Sequence, residues 1–125
     1  MCQVKELKID NQIVNIADIK HKYVRNIVDA AKKCDLIDKV IVFGSSLEER
    51  CTVSSDIDLA VFGSKTKYKT YHSKSYDDFL KQIYEYDLDQ DYDVLYFKTG
   101  ENSSQQIFRN ILNGATIYAK DKEKQ

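Results

Sequence analysis

Val40-Ile41-Val42-Phe43-Gly44-Ser45 and, ten residues on, Asp56-Ile57-Asp58-Leu59-Ala60-Val61-Phe62 mark two short buried strands, Lys39 to Phe43 and Asp56 to Phe62. Both runs are rich in β-branched and aromatic residues, apolar on both faces, and bounded by glycine, the second being closed by Gly63-Ser64. Such runs belong to strands covered on both sides. The first ends at a turn, with Ser45 to Arg50 predicted as a short helix that Ser45 or Ser46 can cap. In a strand, residues two apart share a face, so Asp56 and Asp58 project side by side with Cα atoms about 6.5 to 7 Å apart. They stand where the apolar strand begins.

Upstream, Ile16, Ile19, Tyr23, Ile27, Ala30, Ala31 and Cys34 recur at intervals of three and four, predicting a helix from Asn15 or Asp18 to about Lys33. Residues 1–14 fit neither period and read as a strand or hairpin. Downstream, the Lys/Tyr/Ser stretch 64–75 reads as a loop, and Tyr76, Phe79, Leu80, Ile83 and Tyr84 mark a second long helix. Tyr92 to Phe97 is a third strand, led by Asp93, which shares its face with Leu95 and Phe97. Ile107, Phe108, Ile111 and Leu112 form a last helix stopped by Gly114. Strands alternating with helices indicate an α/β or α+β fold, with residues 1–125 as a single domain.

Of the 125 residues, 34 are Leu, Ile, Val or Phe, enough for a folded core. The longest apolar runs are four residues, far short of the roughly 20 needed to cross a bilayer. Met1 to Glu6 has no apolar signal region, and a cytoplasmic address is expected. Cys2, Cys34 and Cys51 are too few and too scattered for a disulfide or zinc framework. The formal net charge of −1 disfavours a nucleic-acid partner. Charge is nevertheless segregated: Lys65, Lys67, Lys69 and Lys74 occupy 64–76 without an acid, whereas seven acids face Lys81 alone in 77–93.

Two strands each present acid at one end. If they are neighbours, Asp56, Asp58 and Asp93 converge as oxygen ligands suited to magnesium, and two such ions suit in-line displacement at phosphorus. Asp91 lies two residues before Asp93, on the same face by alternation, so spacing does not separate the two. Gly44-Ser45 after a strand offers a tight turn and free N–H groups for a phosphate. Tyr68 and Tyr71 among the lysines can stack on a base, although a solvated loop is the commoner case. Cys51, His21 and His72 have no neighbours suggesting a catalytic role.

The pattern Gly44-Ser45-x10-Asp56-x-Asp58, with Ser55 ahead of the first acid, resembles the signature of the minimal nucleotidyltransferases of the polymerase β-like superfamily. The resemblance spans roughly Val40 to Phe97. It implies a mixed sheet flanked by helices, two magnesium ions, and ATP or another nucleoside triphosphate as donor. By the motif, Gly44 and Ser45 bind phosphate, while Asp56, Asp58 and Asp93 are the metal ligands and catalytic acids. Ser46-Leu47-Glu48-Glu49-Arg50-Cys51 departs from the basic, glycine-containing sequence of many members; Arg50 can supply positive charge or pair with a neighbouring Glu. Small members are often antitoxins to HEPN-type toxins, some of which they modify with AMP. The implied function is therefore transfer of AMP to a hydroxyl of such a partner. Docking to the toxin without catalysis and nucleotidylation of a small molecule resembling an aminoglycoside are the alternatives, and homo-oligomerisation is compatible with all three.

Overall fold

The computed structural model describes residues 2–101 and 106–120. A hairpin of β1 (Val4–Ile9) and β2 (Gln12–Ala17) opens the chain, followed by a 3-10 turn (Asp18–Lys20) and α1 (His21–Lys32). Next come β3 (Ile37–Phe43), a 3-10 turn (Gly44–Leu47), β4 (Ile57–Gly63), α2 (Lys67–Tyr71), α3 (Lys74–Tyr86) and β5 (Tyr92–Lys98). Helix α4 (Gln106–Leu112) and β6 (Ala115–Ala119) complete the described elements. The main sheet has strand order β5-β4-β3-β6; β4 and β5 are parallel, whereas β3 runs antiparallel to both β4 and β6. This is the mixed sheet flanked by helices that the resemblance implies.

Both faces of the sheet are covered, which is why its central strands are apolar without alternation. Ile57, Leu59 and Val61 of β4 and Tyr96 of β5 join α1, α3 and the hairpin in the larger core. Ala60 and Phe62, with Ile41 and Phe43, meet Phe108 and Ile111 of α4 in a smaller one. Helices α1 and α3 are also joined by polar contacts, Gln82 Nε2 donating to Asn26 Oδ1 at 3.1 Å and to Asp29 Oδ2 at 2.9 Å.

Several elements differ from the sequence reading. The hairpin expected as one reading of the N-terminal residues runs from Val4 to Ala17 and so takes in Ile16, and the helix face begins later, at α1. A two-residue turn with Asp10 at a φ of 53° makes that hairpin; aspartate tolerates this left-handed conformation. The helix expected over 45–50 shrinks to one 3-10 turn with no side-chain cap, and Ser46 is buried instead. Residues 64–75 contain α2 and the start of α3, capped by Thr66 and Ser73, whose side chains accept from Lys69 N at 3.2 Å and Tyr76 N at 3.1 Å. Strand β6 is unanticipated: five residues carry little periodicity, and pairing with β3 rather than local preference defines it.

Gly114 precedes β6 where a Cβ would stand 2.5 Å from Val42 O and 2.7 Å from Ile41 Cγ2. Backbone cannot yield as a flexible side chain can, so Gly114→Ala should cost about 1 to 3 kcal/mol. Urea unfolding checks this; unchanged stability would mean that the β3–β6 contact is looser than described.

Candidate active site

Three chain segments meet at one end of the sheet. Phe43, the last residue of β3, pairs with Asp58, the second residue of β4, and Asp58 pairs across the parallel ladder with Asp93 of β5. Directly paired residues share a face, so Asp58 and Asp93 stand on the side of Ala60, Phe62, Leu95 and Phe97, the face that α4 covers further along. Gly44 follows Phe43 at a φ of +78°, and a Cβ there would collide with Asp58 Oδ2. Glycine is thus required twice, by the left-handed conformation and by the approach of the carboxylate.

Asp56 is exposed one residue before β4, Asp58 is half-buried, and Asp93 is exposed. The structure also separates two acids that alternation left equivalent: Asp93 lies opposite Asp58, whereas Asp91 precedes the ladder and accepts Ile57 N through its carbonyl at 3.1 Å. Ser45 is half-buried in the turn, its carbonyl accepting from Glu48 N at 2.9 Å. Ser46 Oγ is buried without a hydrogen-bond partner. Arg50 is engaged by Glu48, so its charge is already partly spent, though its field still reaches Asp58.

Burial, then the proximity of Asp93 and Asp56, pushes the Asp58 carboxyl above the usual carboxylate range, with Arg50 opposing. Among the described residues, no three His, Cys, Asp or Glu side chains form a cluster closed enough to hold an ion as they stand. The three acids share one sheet end, with Asp58 and Asp93 in register and Asp56 outside the ladder. Their donor set is entirely carboxylate oxygen, which fits a hard cation such as magnesium.

Residues that sequence reasoning missed lie behind the acids. Lys20 is fully buried, and its ammonium donates to Gln90 Oε1 at 2.6 Å and Ser55 O at 2.8 Å. Neither residue has a sequence signal, since each reads as one polar residue among many. A cavity of about 430 Å³ lies between α3 and β5, bordered by Asp93 and walled by Tyr71, Tyr76, Tyr84 and Tyr92. Tyr71, although exposed, stacks on Tyr76 at a centroid separation of 5.6 Å, whereas Tyr68 lies against His72. Cys51 is buried with Cys2 and Ala17, and burial pushes its thiol up, as for an unreactive core residue. No described helix is long and apolar enough to cross a membrane.

The raised Asp58 carboxyl makes ionisation unfavourable to folding. That contribution to stability is present below the ordinary carboxylate pKa and lost as pH rises through the raised one. Without divalent cations, Asp58→Asn should hold or raise the melting temperature at pH 7, any gain fading towards about pH 4. A lower melting temperature at pH 7 would show that the Asp58 carboxylate stabilises the fold.

No curated protein matches the chain closely enough to count as a relative. The family model described as polymerase beta, nucleotidyltransferase matches residues 25–123, from within α1 to beyond β6, and so takes in the turn, both acid-bearing strands and the sheet that aligns them. With most of its length so matched, this chain belongs to the polymerase beta nucleotidyltransferase family.

Proposed function

We propose that this chain transfers a nucleoside monophosphate, AMP from ATP, to an acceptor hydroxyl supplied by a partner protein, and that Asp56, Asp58 and Asp93 hold the two magnesium ions the reaction uses. The observation that carries the reading is the register placing Asp58 opposite Asp93 with Gly44 closed against Asp58. When bound, magnesium would neutralise the triphosphate and stabilise charge on the attacking and leaving oxygens. The chain's own part is positioning. Gly44 lets the backbone approach a phosphate, and Ser45 adjoins it with a hydroxyl. The half-buried Asp58 gains most from a cation, because its charge is the least hydrated of the three. The cavity beside Asp93 offers aromatic walls for a base or an acceptor side chain.

The likeness of Gly44-Ser45-x10-Asp56-x-Asp58 to the minimal nucleotidyltransferases supports a HEPN-type toxin as the partner and an antitoxin role in the cytoplasm. One observation favours docking without catalysis: Glu48 and Glu49 are exposed beside the turn, and Arg50 is occupied by Glu48, leaving the turn short of the positive charge a triphosphate attracts.

Calorimetric titration with magnesium and ATP tests the site. Asp56→Asn/Asp58→Asn should weaken binding by more than about tenfold, as expected when charge-assisted contacts worth about 1.5 to 3 kcal/mol are lost. Equal binding by both proteins would remove the assignment. Incubation with a HEPN-type partner, magnesium and ATP should add an adenylyl unit to the partner's intact mass, and Asp93→Ala should abolish the addition while leaving association intact. Tight association with no mass change would favour docking.

A further inference from the structure

Among the described residues Lys20 is the only charged side chain that is buried. Its ammonium has three N–H donors. They find three acceptors: Gln90 Oε1 at 2.6 Å, Ser55 O at 2.8 Å and Val53 O at 3.4 Å. All are neutral, so the charge is satisfied by dipoles and not by an ion pair. Gln90, itself buried, uses its amide nitrogen to donate to Ser55 O at 3.0 Å and Asp91 O at 2.7 Å. The same Asp91 carbonyl accepts from Ile57 N at 3.1 Å.

These bonds tie three segments that are far apart in the chain. One is the turn leading into α1, another is the segment 53–55 ahead of Asp56, and the third is the residue pair 90–91 ahead of Asp93. The carbonyl of Ser55 is held twice, by Lys20 and by Gln90, immediately before the first acid. A buried ammonium is costly to desolvate, and an apolar side chain would fill the same space without that cost. What an apolar residue cannot do is fix the two strand lead-ins against each other with directed bonds. Lys20 also lies before residue 25, outside the matched family segment.

We propose that Lys20 and Gln90 are positioning residues for the acids: their buried network sets the spacing of Asp56, just ahead of β4, and Asp58, on β4, from Asp93 on β5. The inference rests on the reading of those acids as cation and nucleotide ligands. The bonds of the network go to backbone carbonyls and to Gln90, and none goes to a carboxylate oxygen of Asp56, Asp58 or Asp93. Its action is to prealign ligands that would otherwise repel one another, as groups supporting metal ligands do.

Binding of manganese in the presence of ATP, followed by electron paramagnetic resonance, tests this alongside thermal unfolding of each protein. Lys20→Met keeps the apolar stem and removes the ammonium. Gln90→Met removes the bonds to Ser55 and Asp91 while leaving Lys20 its two carbonyl acceptors, and it decides the matter if Lys20→Met does not fold. Ile27→Val, in the core of α1, serves as a structural control. Both network variants, folded at the assay temperature, should bind manganese about 10 to 100-fold more weakly, whereas Ile27→Val should bind like wild type. Folded variants with wild-type affinity would overturn the positioning role, as would an equal loss in Ile27→Val. Wild type that fails to bind manganese with ATP would overturn the nucleotidyl-transfer reading and the positioning role with it, a result distinct from binding that the variants leave unchanged.

Discussion

Phe43 pairs with Asp58, and the position of every group in the candidate site descends from that register. Because β3 and β4 are antiparallel, the residue following the end of β3 is delivered to the beginning of β4. The ten residues between Ser45 and Asp56 therefore need only make a detour and return. Gly44 meets the Asp58 carboxylate at close range because no side chain intervenes. A slip of one residue would turn Asp58 into the larger core, towards α1 and α3, where an ionised carboxylate has no partner, and would carry Ile57, Leu59 and Val61 out of it. Burial on both faces thus fixes the register, and the register fixes the site.

The same arrangement concentrates like charge at one sheet end. Asp58 bears the consequence most, being partly buried with Asp93 across the ladder and Asp56 nearby. Such strain is typical of a site whose geometry serves something other than stability. The surrounding fold holds it in place by means that do not involve charge neutralisation. Two hydrophobic clusters clamp the strands from either side, and the Lys20–Gln90 network binds the lead-in segments through backbone carbonyls.

Elements flanking the site are distributed by face. Helices α1 and α3 occupy the side of the larger core, and the cavity beside Asp93 opens at the free edge of β5, where α3 contributes its tyrosines. The other side carries the acids and is covered by α4 only further along the strands. A ligand approaching the acids therefore meets the Gly44 turn, Asp58 and Asp93 on one surface, with the aromatic cavity around the edge.

The two apolar runs, the glycine that ends the first, and the carboxylates that begin the second were legible from the chain alone, because strand alternation and turn chemistry are local properties. The long helices were legible for the same reason, their apolar residues recurring at three and four. Strand β6, the extension of the N-terminal hairpin over Ile16, and the caps at Thr66 and Ser73 were not, since short elements owe their conformation to partners as much as to their own residues. Within the site, alternation put Asp91 and Asp93 on one face and could go no further. The choice between them is a matter of which residue lies opposite Asp58, and that was decided by the parallel pairing of β4 with β5. Lys20 and Gln90 stand seventy positions apart and meet only when three segments close around one buried ammonium. Sequence determined what each strand carries; tertiary pairing decided which residues face one another, because register between distant segments is set by the burial of both sheet faces and by no local pattern.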